Sequence, residues 1–236
     1  MGTDPGSDRP PGQTPLIVPF GDSGVFVELG GAPGIATSGW VQATARAIRA
    51  ATEGRAGWST PIPAATSILV PVDPVEPGAE AAVASIRSIL GRRSYPVDDP
   101  ATPTEDRVLE VPVRFGGDDG PDLDVVATMT GLNTGEVIEA LLATSFRALF
   151  LGFAPGFAYL GPLDERLILP RRDTPRQRVP AGSVAIAGPQ AAIYPVDSPG
   201  GWWILGRTSL RVWDPNREPA ALINAGTRIR FVAERA

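Results

Sequence analysis

The chain has 236 residues with 43% apolar and 20% charged side chains and a net charge of -5, which allows one large domain or two small ones and a real core. It has no Cys and no His, and all 21 basic side chains are Arg. Disulfides, thiolate nucleophiles, imidazole metal ligands, a Ser-His-Asp triad, Schiff-base chemistry and a P-loop lysine are therefore excluded.

Proton transfer must rely on Asp, Glu, Tyr, water or a partner protein, and anion contacts on Arg, backbone N–H groups or hydroxyls. The acidic balance argues against a nucleic-acid surface. No apolar run reaches membrane-spanning length and no charged-then-apolar leader opens the chain, so a soluble cytoplasmic protein without metal or membrane partners is expected.

Residues 1–15 are rich in Gly, Pro, Asp and Ser without periodicity and read as a disordered tail. Residues 16–29 give two strands about the turn Gly21-Asp22-Ser23-Gly24, with Val25, Val27 and Leu29 alternating against Phe26 and Glu28. Ser38 is placed as the N-cap of a helix through Ala51, with Val41, Ala45 and Ile48 on one face and Gly54 as its stop. Residues 62–72 form a further strand region. Pro77 opens a second helix whose apolar repeat is Ala81, Ala84, Ile86 and Ile89. This order predicts an α+β domain over 16–94, with helices on one face of its sheet.

Residues 95–107 have a linker composition, and a second domain is placed at 108–236. Val108–Phe115 reads as a strand, in which Pro112 implies an edge or an end. Two short helices, 121–130 and 133–143, flank Gly131, with Asn133 and Glu136 as a capping pair. Their Asp122, Asp124, Glu136 and Glu139 would repel phosphates, which excludes a DNA-binding helix pair.

From Phe150 to Pro215, short apolar runs are broken every few residues by Gly and Pro, the pattern of short strands joined by specified turns. Binding groups usually sit in such turns on a rigid β scaffold. Phe153-Ala-Pro-Gly-Phe157 reads as a type II turn between two aromatics, a packed corner or a pocket wall. Arg166, Arg171, Arg172, Arg176 and Arg178 form the one local cationic excess, suited to phosphate or carboxylate, with Arg176 and Arg178 foremost. Ser183 without a histidine is at best a hydrogen-bond donor, and Gln190 sits in the turn after a strand of small residues. Asp197-Ser-Pro-Gly-Gly-Trp202 is the second dense turn, its glycine pair able to offer N–H groups to an anion. Trp202 and Trp203 must face opposite sides of their strand.

These motifs, in order, are Gly-Phe-x-Pro-Gly-Phe from Gly152, Thr174-Pro-Arg-x-Arg-Val-Pro-Ala-Gly-Ser-Val184, Gln190, Ile193-Tyr-Pro195, Ser198-Pro-Gly-Gly-Trp202, Gly206-Arg-Thr208 and Asp214-Pro215. Together with Gly21-Asp22-Ser23 and Thr66–Pro74 they resemble the allophanate hydrolase subunit 1 family, which includes the B-type subunit of 5-oxoprolinase and the kinase inhibitor KipI. The resemblance implies a ferredoxin-like α+β domain followed by a mainly-β, cyclophilin-like barrel without prolyl isomerase activity. It also implies two partners, a carboxyltransferase-like C-type subunit (allophanate hydrolase subunit 2-like) and a third 5-oxoprolinase subunit. Such a complex cleaves 5-oxoproline or a related small amide at the expense of ATP.

The resemblance leaves two other roles open: the carboxyltransferase half of a urea carboxylase-type enzyme with biotin on a partner, and a non-catalytic inhibitor of a histidine kinase. On the leading reading, a barrel mouth is lined by Phe153, Phe157, Arg176, Arg178, Ser183, Gln190, Ser198 and Arg207, with the acid–base group supplied by an acid or by the partner. The chain departs from the family pattern at Leu141, Phe146 and Ala191, where His, Tyr and Thr are usual, which implies lost polar chemistry.

Overall fold

A computed structural model describes residues 14–91 and 108–234. The chain divides into two compact units, Met1–Thr102 and Pro103–Ala236. Residues 1–13 of the tail expected over 1–15, and the linker expected at 95–107, lie outside the described residues.

The first unit is an antiparallel sheet of β1 (Leu16–Pro19), β2 (Gly24–Glu28), β3 (Ile62–Pro63) and β4 (Ser67–Pro71), in the order β1-β2-β4-β3, with helices α1 (Ile35–Thr52) and α2 (Gly78–Gly91). Alternation in β2 buries Val25 and Val27 and turns Glu28 out. Those valines, with Ile17, Ile68 and Val70, pack in one core with Val41 and Ile48 of α1 and Val83 and Ile86 of α2.

Two details correct the sequence reading. Helix α1 starts a turn earlier than Ser38: the N–H of Ser38 already donates to the carbonyl of Gly34, which is the N-cap. In α2 the buried stripe is Ala79, Ala82, Val83, Ile86 and Leu90, whereas Ala81 and Ala84 are exposed. Alanines score as apolar but bury little area, so the larger Val83 and Leu90 set the face.

The second unit contains β5 (Leu109–Phe115), α3 (Leu123–Thr130), α4 (Thr134–Ala143), β6 (Phe146–Leu151), β7 (Ala158–Gly161), β8 (Arg176–Val179), β9 (Ser183–Ala187), β10 (Gln190–Ile193), β11 (Ser198–Gly200), β12 (Trp203–Arg207) and β13 (Arg228–Ala233). Seven of these strands close a barrel in the order β10-β7-β6-β13-β5-β12-β9, and β8 pairs with β11 as a separate two-stranded sheet. All pairings are antiparallel except β5 with β13. Pro112 therefore lies inside a closed barrel; its pairing is with Val232 of β13, while β12 reaches β5 only at Arg114 and Phe115. The missing N–H faces no acceptor there.

The barrel interior is solid, filled by residues such as Val111, Leu160, Ile186, Leu205 and Phe231 and covered by Leu141 and Val137 of α4. The capping box at α4 forms as expected, with the Asn133 N–H donating to Glu136 Oε2 at 2.7 Å and the Glu136 N–H to Asn133 Oδ1 at 3.0 Å. No helix among the described residues is long and apolar enough to cross a membrane.

Candidate functional site

Register across β7, β10, β9 and β12 places Leu160, Ala191, Ile186 and Trp203 in one row and Tyr159, Ala192, Ala185 and Ile204 in the next. The first row belongs to the barrel core. Because side chains alternate along a strand, the second row lies on the outer wall, where the alanines leave room for aromatic rings. Phe157 meets Tyr159, Tyr194 and Trp202 edge-on at 5.0, 5.3 and 5.9 Å. Trp202 and Trp203 do face opposite ways, one into this outer cluster and one into the barrel.

The turn before Phe157 has the expected type II form. The Phe157 N–H donates to the Ala154 carbonyl at 3.0 Å, with Gly156 at φ 78. A side chain at Gly156 would put its Cβ 2.6 Å from that of Trp213. Phe153 differs from Phe157. It is 61% exposed and holds φ 70, uncommon for a residue with a side chain. Its ring stands edge-on to Phe157 at 5.2 Å and to Tyr194 at 6.5 Å.

Asp122 occupies the N-cap position of α3, yet its side chain caps nothing. Its Oδ1 accepts from Arg172 Nη1 at 2.8 Å and from Arg176 Nη2 at 2.7 Å, and its Oδ2 accepts from the Ile204 N–H at 2.7 Å. The carboxylate is buried, 3% exposed, and the two arginine side chains are 27% and 24% exposed. Arg172 also lies 5.1 Å over the ring of Trp203, whose indole N–H donates to the Pro170 carbonyl at 2.8 Å. The Arg172 N–H donates to the Gly201 carbonyl at 2.8 Å. Residues 170–172 are thereby fastened to β12, and the guanidinium groups are fixed in place. Among the described residues, Arg172 Nε, Arg176 Nη1 and Ser198 Oγ are buried without a partner.

Arg176 is paired with Gly200 across β8 and β11. The hydroxyl of Tyr194 packs against that glycine: a Cβ on residue 200 would lie 2.2 Å from it. Burial pushes the Tyr194 phenol up to about 12, against the opposing pull of Arg171 and Arg176. Tyr159 is also raised by burial, with Arg171 again pulling the other way. Both phenols are therefore protonated donors near neutrality and not bases.

The expected site residues separate into groups and do not line a common barrel mouth, since the barrel is filled. Phe153, Phe157 and Arg176 gather about Tyr194, with Ser198 on the neighbouring strand β11. Arg178 and Arg207 flank the loop at Ala181. Arg178 Nε donates to Asp197 at 2.8 Å, Asp197 accepts the Ala181 N–H at 2.8 Å, and Arg207 Nε donates to the Ala181 carbonyl at 3.1 Å. That N–H and then Arg178 hold the Asp197 carboxyl below the usual range.

Arg207 also lines a cleft of about 660 Å³ with Arg114, Tyr194, Arg211 and Asp214. Its guanidinium charges are mostly answered, Arg114 by Asp119 and Glu234 and Arg211 by Asp214. Ser183 is 2% exposed. Gln190 opens β10 while Tyr194 follows its end, which separates them by roughly 13 Å at strand rise.

Sequence reasoning singled out the arginine cluster but missed Asp122, Tyr159 and Tyr194. The signal for Tyr194 was present in the Ile-Tyr-Pro motif; nothing local marks Asp122, whose partners are 50, 54 and 82 residues away. Leu141, Phe146 and Ala191 all lie in the barrel core, so the departures there remove no group from the outer wall.

Residues 15–223 match the family model of the carboxyltransferase domain, subdomain C and D. The chain is 49% identical over 131 residues to the B-type subunit of 5-oxoprolinase from Escherichia coli O157:H7, covering 56% of this chain and 60% of that protein. It is 44% identical over 126 residues to the corresponding 5-oxoprolinase subunit of Bacillus subtilis strain 168, covering 53% and 52%. The chain thus spans between half and two thirds of the length of these curated relatives. Among solved structures, the protein TTHA0988 superposes with a TM-score of 0.75 at 33% identity, over 91% of this chain and 40% of that one. With a family model matched over most of its length, an outer-wall cluster of aromatics and arginines and a filled barrel, the chain belongs to the carboxyltransferase domain family, subdomains C and D.

Proposed function

We propose that this chain is the B-type subunit of an ATP-dependent amide hydrolase complex that opens 5-oxoproline or a closely related small lactam. The observation that carries the reading is its 42–49% identity to three curated 5-oxoprolinase subunits of that type. The chemistry of the chain supports a shared rather than a self-sufficient site. It offers guanidinium groups and protonated phenols on the outer wall, all of them donors, and no histidine or lysine. A base and the nucleotide chemistry would come from a carboxyltransferase-like C-type subunit and a third subunit; ATP acts through that complex. We read the first unit as a ferredoxin-like α+β domain and the barrel as cyclophilin-like, supported by the two-helix antiparallel sheet and the closed seven-stranded barrel.

The test is reconstitution with the cognate subunits and measurement of ATP-dependent glutamate release from 5-oxoproline. Release that requires this chain supports the reading. Avidin-sensitive turnover of urea would replace it with a biotin-dependent carboxyltransferase, and saturable binding to a histidine kinase without turnover would replace it with an inhibitor.

A further inference from the structure

We propose that the outer wall beside Tyr194 binds a small carboxylic acid with a flat body, its carboxylate held by Arg171, Arg176 and the Tyr194 hydroxyl and its body against Phe153. The identity of such an acid rests on the function proposed above; the chemical class rests on the wall itself.

Charge is the first ground. Asp122 is the only buried acid in the cluster, and its oxygens are already taken by Arg172, Arg176 and the Ile204 N–H. Arg171 is exposed and makes no hydrogen bond or ion pair among the described residues. Arg172 and Arg176 share the carboxylate of Asp122, and Arg171 has no ion pair among the described residues, which leaves positive charge unmatched. A ligand carboxylate meets that excess.

Unpaired donors are the second ground. Arg176 uses Nη2 on Asp122 and keeps Nη1 unpaired, and Ser198 Oγ, on the strand paired with β8, is unpaired too. The hydroxyls of Tyr159 and Tyr194 make no hydrogen bond among the described residues. Arg171 precedes Arg172, whose N–H donates to the carbonyl of Gly201, next to the glycine against which Tyr194 packs, and its charge pulls on both phenols, as that of Arg176 does on Tyr194. Buried donors left without acceptors are costly, and a ligand carboxylate supplies acceptors in the planar arrangement a guanidinium prefers.

The third ground is Phe153. It holds a left-handed backbone at φ 70 while exposing 61% of its surface, so its strain is not offset by burying its ring. What the strained backbone secures is an aromatic face next to Tyr194, 6.5 Å between centroids. A flat organic acid would cover that face; phosphate would not.

The test is titration calorimetry on the full chain, and on its complex with the cognate subunits, using 5-oxoproline and benzoate beside their carboxamides, with inorganic phosphate as a further probe. At least one acid should bind at least tenfold tighter than its carboxamide. Arg171→Gln, at an exposed residue with no hydrogen bond to lose, should weaken that binding at least tenfold with an unchanged melting temperature. Phe153→Gly should weaken it without abolishing the preference for acid over amide. Equal affinities for acid and carboxamide, no binding of either acid to chain or complex, wild-type affinity in Arg171→Gln, or phosphate binding tighter than both acids would each overturn the proposal. The two readings separate: glutamate release unaffected by Arg171→Gln removes this site and leaves the proposed function, whereas acid-selective binding without ATP-dependent turnover does the reverse.

Discussion

The hydroxyl of Tyr194 fills the space a side chain on Gly200 would need, only 2.2 Å from where the Cβ would lie. Gly200 is paired with Arg176, so this one glycine brings a phenol up against the strand pair that carries a fixed guanidinium. The absence of a side chain at 200 is a requirement of the outer wall and not of the turn.

Gly200→Ala should therefore displace Tyr194. Overpacking of this kind costs about 1–3 kcal/mol. Urea unfolding should show that loss, and the double variant Gly200→Ala with Tyr194→Phe should recover part of it. No recovery would mean that the strand pair, not the phenol, resists the methyl group.

Asp122→Ala should be the most damaging single change at the wall. It removes the shared acceptor of two largely buried guanidiniums and leaves the Ile204 N–H unpaired. Breaking a buried pair from one side costs about 3–5 kcal/mol. Asp122→Asn keeps an acceptor for Ile204 and should lose less. A loss under about 1 kcal/mol for the alanine variant would show that the arginines find other partners.

Asn133→Ala should cost about 1 kcal/mol by undoing the capping box of α4. The effect should appear in urea unfolding. Since Asn133 makes no contact with the outer-wall residues in the hydrogen-bond pattern, ligand affinity should not change.

Tyr194 should ionise late. Its folded value is about 12 against an ordinary 10, so the stabilising contribution is complete below pH 10 and is lost as pH rises towards 12. Absorbance at the tyrosinate band should show a late step that Tyr194→Phe abolishes. A full tyrosinate signal by pH 10 in the folded protein would contradict the burial of this phenol.

Asp197 gives the opposite slope. Its carboxyl is held below the unfolded value of 3.8 by the Ala181 N–H and Arg178, so its contribution is present above that value and fades as pH falls through the lower folded one. The urea midpoint should fall on acidification below about pH 4, and less steeply in Asp197→Asn. Asp164 and Asp214 are lowered as well, so the variant should flatten the slope without removing it. Identical acid slopes would separate Asp197 from the acid transition.

The local features were legible because their causes are local. The capping box needs only Asn133 and Glu136 three residues apart, the Pro155-Gly156 corner needs only its own dihedrals, and alternation at Trp202-Trp203 follows from the strand period. The motif order likewise pointed to the family without any coordinates.

Placement across the fold was beyond the reach of sequence patterns. From sequence Asp122 is only one of several acids in a short helix, and the closure of the barrel is what brings it to Arg172, Arg176 and Ile204. The same closure fills the interior, which places Phe153, Phe157 and Arg176 on the outer wall and Gln190 at the far end of β10. The sequence by itself determined the alphabet available for chemistry, arginine, phenol and carboxylate with neither imidazole nor amine. Which of those groups meet, and which charge is left unmatched, was decided by tertiary structure, because pairings between residues fifty or more apart depend on strand order and register, which no local pattern encodes.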